Sequence, residues 1–192
     1  MSRIVIGVTG ASGQVYAKRV IEKIAKIPGV ELDLAFTDTG IQVFMDETGE
    51  NLDSIQEQSK IKIIDNHGYY NRNASGSNAA DAMIIIPCSM GTVGRIANGA
   101  TTDLISRIAE VQLKERRRLV IVPRETPFSL IHLRNLTTLT EAGAIVAPAS
   151  PSFYANPSTL DELTDQFADR IIAIAGISDI DPSNKWMSNL WH

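Results

Sequence analysis

Short apolar runs alternate with amphipathic stretches along most of the chain. Residues 3–17, RIVIGVTGASGQVYA, open on a β-branched run that breaks into glycines and a serine and turns helical near Ser12. This predicts a buried strand, a tight loop, and a helix whose free backbone N–H groups could cradle a phosphate. Over 18–27, Val20, Ile21, Ile24 and Ile27 keep helical spacing, Pro28-Gly29 ends it, and 30–36 forms a second strand. Thr37 stands where that strand stops, and Ile41, Val43 and Phe44 with Asp46 and Glu47 predict a short helix. Residues 48–77 are polar and mixed in period, an excursion with one short strand near 61–64. A connection of that length suits a lid over a pocket.

The run 82–87 is apolar without alternation, as for a parallel strand covered on both faces. Cys88-Ser-Met-Gly-Thr92 opens another helix, 103–114 is helical, and 118–122 is a strand ending in Pro123-Arg-Glu-Thr-Pro127. Residues 128–142 read as helix stopped by Gly143, 144–147 as a strand, and 160–174 as a last long helix. Beyond Gly176 the chain is polar and broken by Pro182, yet Trp186 and Trp191 predict a tail, about 177–192, that packs on the domain or on a neighbouring subunit. The alternation defines a single α/β domain, a doubly wound Rossmann/flavodoxin-like parallel sheet sandwiched by helices. In such sheets ligands bind beyond the carboxyl ends of the strands. The residues expected there are Gly10, Ala11, Ser12, Thr37, Ser89 to Thr92, Arg124, Glu125 and Ser150 to Tyr154.

Composition narrows the chemistry. A chain of 192 residues can bury a full core without disulfides or metals. Eighteen basic against 22 acidic residues, net −4, argue against a general nucleic-acid surface. The single Cys88 allows no internal disulfide and no zinc pair, and three scattered histidines make no metal site. About six residues precede the first turn glycine, too few for a signal-peptide core or a spanning helix, so no membrane partner is expected, and the single cysteine points to a reducing cytoplasm. Gly7, Gly10 and Gly13 follow G-x-x-G-x-x-G, not the G-x-G-x-x-G of dinucleotide sites. The loop alone leaves open a plain βα turn in which glycine only supplies backbone freedom.

GVTGASG, the SGS of 75–77, PCSMGT at 87–92, LKERRRLVIVPRETPFSLIHL at 113–133 and GAIVAPASPSFY at 143–154 occur together. In this combination, through the closing helix to Trp186, the chain resembles the UbiX/Pad flavin prenyltransferases, once called aromatic acid decarboxylases. The resemblance implies transfer of a dimethylallyl group from dimethylallyl phosphate to reduced FMN, adding a fourth ring and releasing phosphate, with the product supplied to a separate UbiD-type decarboxylase. It assigns Gly10, Ala11, Ser12, Thr37, Ser89, Met90, Gly91, Thr92 and Arg124 to FMN. Tyr154 and Arg170 go to dimethylallyl phosphate, with Arg107, Lys114 and Glu125 lining the same pocket and Glu47 near the flavin's reactive edge. Thr37 stands where the family often has Ser, and the aromatic expected before SGS is either Tyr69 or Tyr70. Tyr154 and Arg170 would complete a neighbour's pocket, in a homo-oligomer that is typically a dodecamer.

The chemistry fits these residue types. An allylic phosphate leaves readily only if cations hold its developing charge and a donor protonates it. Arg107, Lys114, Arg124 and Arg170 could supply the charge, and Ser12 with Glu125 the proton. The alternative for 114–118 is a solvated helix end favouring cations, and for Glu47 a surface carboxylate. Three other functions compete. A nicotinamide oxidoreductase shares VTGASG, but Tyr16 replaces the last glycine and no tyrosine has a lysine four residues on. A flavin-dependent cysteine decarboxylase would carry a Pro-x-Met-Asn stretch where PRETP stands, and a flavin carrier would need none of the charged set.

Overall fold

The computed structural model describes residues 2–56 and 61–177. The tail expected to pack through Trp186 and Trp191 lies outside the described residues. Six strands, β1 (Ser2–Val8), β2 (Val30–Phe36), β3 (Ile61–Ile64), β4 (Ala82–Cys88), β5 (Arg118–Pro123) and β6 (Ile145–Val146), form one sheet in the order β3-β2-β1-β4-β5-β6, every pair parallel. The chain winds outward from β1 to β3, returns across the sheet, and winds outward again from β4 to β6. The reversal falls between β1 and β4, where a doubly wound sheet opens a crevice at its carboxyl edge.

Helices cover both faces. On one side α1 (Gln14–Ala25), α2 (Asp38–Thr48), α3 (Leu52–Gln56) and α7 (Leu160–Ile174) bury Val20, Ile21, Phe44, Ile55 and Phe167 against Ile4, Ile6, Leu32 and Leu34. On the other, α4 (Met90–Ala97), α5 (Leu104–Lys114) and α6 (Leu130–Glu141) bury Val93, Ile105, Ile108 and Leu139 against Val5, Met83, Ile85 and Ile121. The two-residue period of each strand divides its side chains between these layers. Continuous apolar runs result because both layers are dry.

Polar residues mark where helices begin. Thr37, Ser89 and Thr159 cap α2, α4 and α7, and Asp103 and Ser129 form capping boxes with Ser106 and His132. The Ser129 box starts α6 at Leu130, two residues after the expected position, and leaves Phe128 in the loop. Likewise α1 starts at Gln14, not near Ser12, because Gly13 has φ 102° and breaks the helix there. The excursion holds a one-turn helix, the expected short strand and two 3-10 turns at Arg72–Ala74 and Gly76–Asn78.

Candidate functional site

At the carboxyl edge the sheet continues as a row of single backbone hydrogen bonds. Thr37 N donates to Val8 O at 3.0 Å, Thr9 N to Pro87 O at 3.3 Å, Arg124 N to Cys88 O at 3.3 Å, and Ala149 N to Pro123 O at 3.0 Å. The loops after β2, β1, β4, β5 and β6 are thereby brought into line. Along this row stand Gly10, Ala11, Ser12, Thr37, Ser89 to Thr92, Arg124 and Glu125, so the structure gathers every residue expected to bind FMN.

The glycine loop is tied on all sides. Buried Thr9 donates its hydroxyl to Pro87 O and accepts from Ser89 N, both at 2.8 Å, joining the loops of β1 and β4. Buried Gln14 donates Nε2 to the carbonyls of Thr9 (2.8 Å) and Ala11 (2.7 Å). Arg124 donates Nε to Ser12 O at 3.0 Å, so the PRETP loop rests directly on the glycine loop. A Cβ on Gly10 would lie 2.5 Å from Thr39 Cγ2, a contact only glycine tolerates there. Thr9 and Gln14 were not singled out from the sequence. The available signal was a glutamine at the first turn of a helix in an otherwise apolar context.

The start of α1 is filled from within. Glu47, on α2, accepts from Gly13 N at 2.9 Å and Gln14 N at 2.7 Å. A carboxylate thus takes the free N–H groups and the positive end of the helix dipole, where the sequence suggested a phosphate. The start of α4 is open by contrast. Ser89 Oγ accepts from Thr92 N, Gly91 is exposed, and a Cβ there would meet only Arg95 Nη1, at 3.8 Å. Arg95 donates to Thr92 Oγ1 at 3.0 Å and lies 3.4 Å from Asp103, which fixes this turn. Open backbone at Gly91, hydroxyls of Ser12, Thr37 and Ser89, and the Arg124 guanidinium suit a flavin with its phosphate-bearing side chain.

Glu125 is exposed, and among the described residues its carboxylate accepts only from Thr126 N, at 3.0 Å. Cys88 is fully buried, and burial pushes its thiol pKa up. No group of three or more His, Cys, Asp or Glu among the described residues could hold a metal ion. Among those residues, no helix is long and apolar enough to cross a membrane.

The remaining expected residues lie elsewhere on the chain. Tyr154 and Arg170 line one cleft of about 200 Å³ with Ser150, Ser152 and Gln166 between the loop after β6 and α7. Lys114 ends α5, four residues before β5 begins, which puts it at the amino edge of the sheet, opposite the crevice. Its ammonium pairs with Glu115. Arg107, two turns earlier on the same face of α5, donates to Ala74 O at 3.3 Å and to Glu110 at 2.7 Å. Of the two candidate aromatics, Tyr69 donates its hydroxyl to Thr101 O at 3.1 Å, and Tyr70 is fully exposed.

A doubly wound parallel sheet with loops converging on its switch point defines a nucleotide- or flavin-binding α/β protein. Residues 1–172 match the Flavoprotein family. The flavin prenyltransferase UbiX of Thermoplasma acidophilum is 40% identical over 96% of this chain and 99% of its own. Among solved structures, AnUbiX (PadA1) in complex with FMN and dimethylallyl pyrophosphate superposes with a TM-score of 0.86 at 38% identity, over 91% of this chain and 92% of that one. A dodecameric FMN-dependent UbiX-like decarboxylase from Escherichia coli O157:H7 gives 0.87 at 32% identity, over 91% and 94%. The chain belongs to the Flavoprotein family, among its UbiX flavin prenyltransferases.

Proposed function

We propose that the protein transfers the dimethylallyl group of dimethylallyl phosphate to reduced FMN, releases phosphate, and supplies prenylated FMN to a UbiD-type decarboxylase. The observation that carries this reading is Arg124 seated on the carbonyl of Ser12, which brings the charged PRETP loop and the glycine loop to one crevice. Gly10, Ala11, Ser12, Thr37, Ser89 to Thr92 and Arg124 hold the flavin. Reduced FMN supplies the electron-rich ring that takes the allyl group. Ser12 and Glu125, both exposed on adjoining loops, move a proton to the departing phosphate. Glu47 orients the Ser12 loop through the backbone of Gly13 and Gln14 and presents its carboxylate beside the flavin.

Of the cations expected at the leaving group, Arg124 stands in this crevice, and the others are placed apart from it within one chain. Lys114 lies at the opposite edge of the sheet, and Tyr154 and Arg170 share their own cleft. The complete pocket therefore draws on several copies of the chain in a homo-oligomer, a dodecamer like that of the Escherichia coli neighbour. The exposed apolar residues Leu130, Ile131 and Leu133 on α6 suit such an assembly. Anaerobic incubation with reduced FMN and dimethylallyl phosphate should give, by mass spectrometry, flavin heavier by one prenyl unit and an equal amount of free phosphate. Bound flavin recovered unchanged, with no phosphate released, would overturn the assignment.

A further inference from the structure

Among the described residues Asp33 is the only charged one that is buried, 2% exposed in the middle of β2. Its neighbours in the strand, Leu32 and Leu34, pack under α1, while Asp33 faces the other layer, where the excursion passes between β2 and α5. Asn73 donates Nδ2 to it at 2.7 Å, and Arg72 donates Nη2 at 3.2 Å and Nε at 3.4 Å. Arg72 also reaches Glu31 at 3.1 Å, and Asn71 Oδ1 accepts from Asn73 N at 2.9 Å to hold the turn. The far end of the segment is held by Arg3, which donates to the carbonyls of Asn78 and Ala79, and by Gln112, which donates to Ala80 O at 3.2 Å.

An apolar side chain at position 33 would satisfy the sheet without partners, so a buried charge here serves geometry more than stability. That geometry leads to α5. Arg107 donates to Ala74 O, and Gly76 lies so close to the ends of Lys114 and Glu115 that a Cβ would collide with both. The 71–78 segment is thus a shelf with one side bolted to Asp33 and the other set against the two cations of α5.

We propose that Asp33, Arg72 and Asn73 are positioning residues that fix this shelf and thereby set where Arg107 and Lys114 present their charge to the allylic phosphate. The proposal rests on the proposed prenyl transfer and on the expectation from the family resemblance that Arg107 and Lys114 line the dimethylallyl phosphate pocket. Arg72 is half exposed, so Arg72→Gln leaves the core intact, and Asp33→Asn keeps the shape of the buried group. In the assembled enzyme each variant should raise KM for dimethylallyl phosphate about tenfold, with kcat and the Kd for FMN within about threefold of wild type. The double variant should be no worse than the weaker single, because both break one clamp. Hydrogen exchange of the 71–78 amides should quicken in both. A folded Arg72→Gln enzyme with unchanged KM, beside a Lys114→Ala enzyme whose KM rises, would overturn the clamp alone. An unchanged KM in Lys114→Ala would overturn the functional reading and the clamp with it. Equal losses of FMN affinity and KM in the clamp variants would mean general loosening and would also overturn it.

Discussion

Gly10 and Glu47 show how closely the crevice is specified by single residues. Alanine at position 10 would drive a methyl group into Thr39, a clash between the glycine loop and the first turn of α2. Gly10→Ala should cost about 1–3 kcal/mol and lower the melting temperature by about 2–4 °C per kcal/mol, with weakened FMN binding, measured by calorimetry and flavin titration. Glu47 accepts two backbone N–H groups at the start of α1, so Glu47→Ala should cost about 1 kcal/mol by the same assay, as loss of a helix cap does. Glu125 makes no such structural contact beyond its own loop, so Glu125→Gln should leave the melting temperature and FMN affinity unchanged while prenyl transfer stalls. A Glu125→Gln enzyme with wild-type turnover would remove it from the proton path.

At the scale of elements, two surfaces make different demands. Helix α6 buries Leu136 and Leu139 and leaves Leu130 and Ile131 61% and 68% exposed, so it carries a second apolar stripe with no partner among the described residues. Ile131→Glu should shift the protein to smaller assemblies on size-exclusion chromatography and abolish prenyl transfer together. At the start of α2, Asp38 holds His67 of the excursion at 3.0 Å. The hydrogen bond to Asp38, and then its charge, raise the pKa of His67 above the ordinary 6.5. A raised folded-state pKa means the tether is fully present below that ordinary value and is lost as pH rises through the raised one. An NMR titration should find His67 above 6.5, and Asp38→Asn should bring it back. Most elements were legible from period and punctuation: β2 and the short β3 occur over the residues expected, because an apolar run between Pro-Gly and a capping threonine has little freedom. Helix starts were less so. A glycine with positive φ and a capping box displaced α1 and α6 by two residues, and both depend on geometry that the sequence only hints at.

For the molecule as a whole, the sequence grouped residues that one chain keeps apart. Ser12, Ser89 and Arg124 were readable as a set because each follows a strand, and parallel strands end on one side. Lys114 was not, since only the direction of α5 shows that it ends at the opposite edge. Tyr154 and Arg170 converge, but on a cleft of their own. Asp33 was visible as a carboxylate inside VELDLAF, yet its partners Arg72 and Asn73 lie forty residues on in a segment without clear period. Such pairings belong to tertiary structure, and the pooled pocket belongs to assembly. That pooling is the central claim and can be measured by complementation. Arg124→Ala and Arg170→Ala chains should each form inactive oligomers, and oligomers co-assembled from both should regain formation of prenylated FMN, because some pockets then combine an intact Arg124 with a neighbour's intact Arg170. Mixed oligomers as inactive as their parents would contradict it.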